Sequence, residues 1–359
     1  MYNLIQLGWN EFFQDQFQIF KAQNFIPGRI AVENKQRYIL YTEKGELPAE
    51  VTGKLLYSSE IAELPKTGDW VAAIFFENEE KAIIHSVLER RSKLSRKTAD
   101  RKTEEQIISA NVDYVFVVQS LDNNFNIRRL ERYIVSTFEN NIQPVIVLNK
   151  IDLTRESLLR KKETMEKFPN VPVILTNALV GTGADEIKNI LSEGKTAVFS
   201  GSSGVGKSTI INNLIGEALL QTSEVSTSVN KGKHTTTKRE LFIIPNGGIV
   251  IDTPGMREFQ LWNADKGIEQ VFDEIELLSL ECKFSDCTHT KETGCAVLEA
   301  IRKGILDESR LLSYYKLQKE LRFLEEKQDK NAYLKRKERE KKLHKEIKQL
   351  LKKGKYRGM

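Results

Sequence analysis

The chain has 359 residues, 40% of them hydrophobic, which is enough apolar material for two or three cored domains and excludes wholesale disorder. Its net charge of +5 is uneven: residues 327–359 hold fourteen Lys and Arg against four acids, a local +10, so the other 326 residues sum to −5. No apolar run approaches the ~20 residues that span a bilayer, and the N-terminus lacks the basic-then-apolar order of a signal peptide, so a cytoplasmic protein with no membrane partner is expected.

Residues 1–27, which include MYNLIQLGWNEFFQDQFQIF, form an amphipathic extension. Over about 28–88 the runs RIAVENKQRYILYTEKG, AEVTGKLLY and GDWVAAIFFENEEKAIIHSVL alternate and are broken by turn residues, which predicts five or so strands of a small β-barrel. Such a barrel is commonly an OB-fold, which tends to bind nucleic acid; an SH3-like barrel is the alternative, and pattern alone does not choose. RRSKLSRKTADRK follows, with seven basic residues in thirteen, a linker or a phosphate-contacting strip that closes a 28–105 module. Across 106–270 strand and helix patterns alternate, from VDYVFVVQSL to GIVIDTPG, predicting a mostly parallel sheet with helices on both faces. Residues 271–326 read as helical and polar, and 327–359 as a long charged helix or a disordered arm. That basic tail on an acidic body predicts a polyanionic partner, a solvated helix being the plainer reading.

Gly201-Ser202-Ser203-Gly204-Val205-Gly206-Lys207-Ser208, followed by Thr209, fits G-x-x-x-x-G-K-[ST] between an apolar β run and a helical one, the setting a phosphate-binding P-loop requires. Glycines there let backbone N–H groups converge on phosphate oxygens. Lys207 is expected to reach the β- and γ-phosphates and Ser208 to ligate Mg²⁺, with the helix dipole adding attraction. Asn149-Lys150-Ile151-Asp152 closes an apolar strand, and the Asp152 carboxylate can accept from the N1–H and exocyclic amine of guanine. Adenine offers no such donors and would leave buried polar groups unpaired. Asn177-Ala178 stands where a short loop backs the guanine ring, although Asn177 replaces the more usual Ser. Asp252-Thr253-Pro254-Gly255 ends the strand GIVI, where Asp252 can hold the Mg²⁺ shell and the Gly255 N–H can touch the γ-phosphate.

Between the P-loop and Asp252 lies Lys231-Gly232-Lys233-His234-Thr235-Thr236-Thr237, the position of a switch loop. Thr236 is the favoured threonine for the Mg²⁺ shell. Met256 follows Gly255 where many GTPases place a water-orienting Gln. Met cannot polarise water, so His234 is the catalytic candidate beside Lys207, a solvated loop histidine being the alternative. The order of the motifs is rotated: the guanine-reading pair comes first, and P-loop, switch and D-x-x-G follow. Domain termini usually lie close together, so such a circular permutation is physically cheap.

All three cysteines fall in Cys282-x4-Cys287-x-His289-x5-Cys295. Three thiolates and one imidazole form a tetrahedral zinc set, structural because four ligands leave no open position. A catalytic thiol or a few buried cysteines is the plainer alternative.

Together GDWVA, the linker ending in SRK, NKID before GSSGVGKST, GKHTTT, DTPGMREF and CKFSDCTHTKETGC resemble the circularly permuted GTPases of the RsgA or YjeQ family, over about residues 28–325. The resemblance implies an OB-fold domain, a permuted GTPase domain and a zinc domain. It further implies a monomeric GTP hydrolase that binds the 30S ribosomal subunit and its 16S rRNA late in assembly and is stimulated by that subunit. The family's catalytic switch histidine maps onto His234. The extension, Lys233 in place of the more usual Arg, and the long basic tail depart from the pattern. The rival is an RNA-binding scaffold that nucleotide merely stabilises; the intact Lys207, Ser208 and Asp252 favour the enzyme.

Overall fold

The computed structural model describes residues 1–34, 37–58, 63–97, 105–217, 220, 239–253 and 265–322. The chain divides into two compact units, Met1–Ala99 with Glu104–Asp273, and Asp100–Thr103 with Glu274–Met359.

The first unit opens with helix α1 (Glu11–Lys21) and then β1 (Ile26–Asn34), β2 (Arg37–Thr42), β3 (Gly45–Val51), the short helix α2 (Gly53–Ser58), β4 (Trp70–Phe76) and β5 (Lys81–Val87). The strands pair in the order β1-β2-β3-β5-β4 and β4 closes back onto β1, with only β3 and β5 parallel. A five-stranded barrel of that order is the OB-fold, which removes the SH3-like alternative. Ile30, Leu40, Val71, Ala73 and Ile84 fill it. The run GKLLY, expected to continue a strand, is α2 instead. The Thr52 hydroxyl accepts from Leu55 N at 3.2 Å, an N-terminal cap that starts a helical turn.

β4 explains why an extension precedes the barrel. Val71 and Ala73 point into the barrel, whereas Trp70 and Ala72, one residue out of phase, pack with Leu7, Phe13 and Phe17 of the extension. Trp9 meets Trp70 edge-on with ring centroids 4.7 Å apart. The period-2 geometry of a strand thus gives β4 two apolar faces, and α1 covers the second.

After β6 (Lys93–Lys97) and β7 (Glu105–Ala110), an antiparallel pair formed partly by the basic strip, come β8 (Tyr114–Ser120), α3 (Ile127–Glu139), β9 (Gln143–Asn149), α4 (Ser157–Lys167), β10 (Val173–Thr176), α5 (Ala184–Ile190), β11 (Thr196–Ser200), α6 (Lys207–Ile215), β12 (Arg239–Ile243), β13 (Ile249–Asp252) and α7 (Asp265–Val271). The order β10-β9-β8-β11-β13 is parallel throughout, and β12 joins its edge antiparallel. Phe116, Val118, Val147, Phe199 and Val205 are among its buried core residues.

The other edge of β12 pairs with β1, so barrel and parallel layer share one 11-stranded sheet. On one rung Glu240 stands opposite Val32 of the barrel and Asp252 of β13. Beside this junction the fully buried Arg29 guanidinium donates to the carbonyls of Leu7, Gly68 and Asn111 and, at 2.8 Å, to Thr196 Oγ1. Burial lowers its pKa to about 10, so the cation persists at neutral pH.

The second unit holds the cysteine loop between α8 (Asp273–Leu280) and α9 (Ala296–Arg302), with residues 308–322 helical. Arg310 Nε donates to Glu274 Oε1 at 2.6 Å and Tyr314 Oη to Glu276 Oε1 at 2.8 Å, fixing that last helix on α8. Among the described residues, no helix is long and apolar enough to cross a membrane.

Candidate functional site

The loops after β9, β10 and β11 leave the same carboxyl edge of the parallel sheet and surround a cleft of about 400 Å³. That edge is where open α/β sheets bind ligands. Asn149, Lys150, Asp152, Asn177, Ala178, Ser203, Gly204, Gly206, Lys207, Ser208 and Thr209 line it. Residues separated in sequence by as much as the length from 149 to 209 therefore meet in one place.

Asn149 ties the loops together. Its Nδ2 donates to Val205 O at 2.8 Å, and its Oδ1 accepts from Thr176 Oγ1 at 2.9 Å and Ala178 N at 3.1 Å. The side chain is 2% exposed, so these bonds carry the full cost of a buried polar group if lost. Lys150 adopts a left-handed conformation, φ 62°, and its Nζ lies 3.3 Å from Asp122 Oδ2. That turn delivers Asp152, exposed on the 3-10 turn Ile151–Leu153, to the mouth of the cleft.

Two glycines are required by close approach. A Cβ at Gly201, φ 145°, would collide with Val118 O, and one at Gly206, φ 98°, with Asn149 Nδ2. The buried Val205 side chain pins the intervening loop to the core. Lys207 Nζ donates to the carbonyls of Gly201 at 2.7 Å and Ser202 at 2.8 Å, lying along the loop it follows. Asp252 ends β13 on the same edge. Burial pushes its carboxyl above the ordinary range, and the Lys207 charge is the main opposing influence. Among the residues proposed from sequence, His234, Thr236 and Gly255 lie outside the described residues, as does the tail 327–359.

Sequence reading overlooked Asp122, which accepts from Ser120 Oγ at 2.8 Å and Asn124 N at 2.9 Å while bracing Lys150. It also overlooked Arg129, whose Nη1 reaches Ser202 Oγ at 2.7 Å. A signal for Arg129 was present: no acid stands three or four residues away on either side to pair with it on the helix surface.

In the second unit, the ligand atoms of Cys282, Cys287, His289 and Cys295 all lie within 4.8 Å of one another. His289 Nδ1 is 3.6 Å from Cys282 Sγ and 3.4 Å from Cys295 Sγ, and those two sulfurs are 3.9 Å apart. Tetrahedral zinc with bonds of ~2.3 Å to sulfur and ~2.0 Å to nitrogen sets ~3.8 Å between sulfurs and ~3.5 Å from sulfur to nitrogen. The donor set fits. Burial together with the Cys295 and Cys282 sulfurs pushes the Cys287 thiol up, against the His289 N–H. Tyr315 Oη holds the loop by donating to the carbonyls of Thr288 and His289 at 2.7 and 2.8 Å.

The sequence profile of the RsgA GTPase family matches residues 87–262. The small ribosomal subunit biogenesis GTPase RsgA of Opitutus terrae is 43% identical over 328 residues, covering 88% of this chain and 89% of its own. The chain belongs to the RsgA GTPase family. The RsgA 2 protein of Lactiplantibacillus plantarum is 42% identical over 86% of this chain and 87% of its own length. Among solved structures, YjeQ from Thermotoga maritima superposes with a TM-score of 0.62 at 28% identity, over 83% of this chain and 98% of that one. YloQ, described as a circularly permuted GTPase, gives 0.62 at 25% identity over 84% and 96%. As a member of the RsgA family the chain is a GTP hydrolase, and the rotated motif order is a property of its fold.

Proposed function

We propose that the cleft binds GTP and GDP with Mg²⁺, and that hydrolysis of GTP to GDP and phosphate there serves late maturation of the 30S ribosomal subunit. The observation that carries the nucleotide reading is Asn149, whose one side chain bonds the P-loop at Val205 and the guanine loop at Ala178. Asp152 reads the guanine edge, Asn177 and Ala178 back the ring, and the N–H groups of 201–206 with Lys207 neutralise the phosphates. Ser208, Thr236 and Asp252 would hold the Mg²⁺ shell, which would supply positive charge to the phosphates. Gly255 N–H meets the γ-phosphate, and His234 orients the attacking water in place of the Gln that Met256 replaces.

Cys282, Cys287, His289 and Cys295 hold one structural zinc, and the relatives, small ribosomal subunit biogenesis GTPases by name, support a small-subunit partner. The working division is 1–27 extension, 28–105 barrel and basic linker, 106–270 GTPase domain, 271–326 zinc domain and 327–359 basic tail. The protein acts as a cytoplasmic monomer, with the barrel, zinc domain and tail meeting 16S rRNA. Nucleotide competition tests the cleft: GDP and GTP displace a fluorescent guanine nucleotide and adenine nucleotides do not. Equal displacement by ATP would overturn the assignment of Asn149 to Asp152.

A further inference from the structure

Arg129 sits in the first turn of α3, and both ends of it are fixed. Its backbone N–H donates to Asn126 Oδ1 at 3.1 Å, the cap of the helix. Asn126 in turn exchanges two hydrogen bonds with the Gln119 side chain of β8, at 2.9 and 3.0 Å. At the other end, Nη1 donates to Ser202 Oγ at 2.7 Å, to Asn124 Oδ1 at 3.0 Å and to Asn124 O at 3.4 Å. Ser202 is the first variable residue of the P-loop.

Among the described residues Arg129 makes no ion pair, and its Nε and Nη2 have no hydrogen-bond partner. The nearby carboxylate of Asp122 is already engaged by Ser120, Asn124 and Lys150. A partly buried guanidinium left without an anion, held against a phosphate-binding loop, offers two donor groups in the fork geometry that suits phosphate oxygens.

We propose that Arg129 is a positioning residue of the GTP site: it holds Ser202 in place and adds a fixed positive charge that favours the triphosphate over the diphosphate. The inference rests on reading 201–208 as the P-loop. GTP carries one more phosphoryl group than GDP, so a cation beside the loop acts on the difference between the two ligands. A brace made only of hydrogen bonds would act on both equally.

Full-length Arg129→Gln and Arg129→Lys separate charge from bracing, since both side chains end short of the Nη1 that reaches Ser202 and only Lys keeps the charge. Affinities for GDP and for a non-hydrolysable GTP analogue are measured with Mg²⁺, alongside KM and kcat, with thermal melting as the folding control. Arg129→Gln keeps GDP affinity within about twofold and loses roughly ten- to hundredfold for the analogue, the scale of one unit charge at about 6 Å in a partly solvated site. Arg129→Lys recovers most of that loss, and added salt narrows the gap between wild type and Arg129→Gln. Equal loss of GDP and analogue affinity in Arg129→Gln, or no loss of either, overturns the proposal. Wild type that binds neither nucleotide would strike the P-loop reading itself, and this inference with it.

Discussion

Asn149 and Asp152, three residues apart, do different kinds of work. Asn149 faces inward, and its bonds to Val205, Thr176 and Ala178 make the cleft one object. Asp152 faces outward and is free to meet a ligand. Asp152→Asn therefore preserves the fold while changing what the cleft reads. Asn presents an N–H where Asp presents only acceptors, which suits the C2 oxo group of xanthine in place of the guanine amine. The variant is expected to lose guanine-nucleotide affinity by at least tenfold and gain xanthine-nucleotide affinity, as read by competition binding. Unchanged guanine preference would remove Asp152 from base recognition.

At the scale of elements, Glu33 of β1 shows how the barrel is fastened. Its carboxylate meets Lys66 Nζ at 2.7 Å and Arg239 Nη1 at 3.3 Å, each side chain 20% exposed or less. Arg239 opens β12, on the same ladder that brings Glu240 opposite Asp252. Glu33→Gln leaves two cations facing a neutral amide and is expected to cost about 1–3 kcal/mol in denaturant unfolding. A loss below ~0.5 kcal/mol would show that the strand pairing alone carries the junction.

The proposed zinc makes a prediction for the cysteine loop, whose four donor atoms lie within 4.8 Å of one another. Cys287→Ala removes one of four ligands, and structural zinc in small modules contributes ~10–16 kcal/mol of apparent binding energy. Metal analysis should find one zinc per wild-type chain and markedly less in the variant, with earlier proteolysis of the second unit. A wild-type chain prepared without chelator and free of zinc would refute the site.

These elements also mark what sequence could reveal. GSSGVGKS, NKID and the cysteine spacing were legible because each is local chemistry, complete within a few residues. The parallel layer was legible from its alternation. The run GKLLY misled because its apolar residues fit a strand until the Thr52 cap is seen. The docking of α1 on the second face of β4, the β1–β12 pairing and the reach of Arg129 to Ser202 join residues far apart in the chain, and no periodicity names the partners.

For the whole molecule, one sheet runs from the cleft edge into the barrel, and the chain then leads through the cysteine loop to a tail of ten net positive charges. The body before that tail is net acidic, so the tail is expected to supply much of the attraction to rRNA. Each phosphate contact adds roughly −0.7 to −0.9 to the log–log salt slope. Truncation before Lys327 should flatten the slope of 30S binding by several units and weaken binding at low salt far more than at high salt. Intrinsic GTP hydrolysis should survive, because no cleft or cysteine-loop residue is removed. An unchanged slope would make the tail a solvated helix.

On the proposed function, a small-subunit partner completes this GTP hydrolase. Steady-state GTP turnover, measured with and without purified 30S subunits for wild type and His234→Ala, tests it most directly. Slow turnover alone and strong stimulation by 30S subunits are expected. His234→Ala should lose ~10²–10⁴-fold in the stimulated rate, with nucleotide affinity preserved. Turnover indifferent to 30S subunits would contradict the claim, and the chain would then be a GTPase answering to another partner.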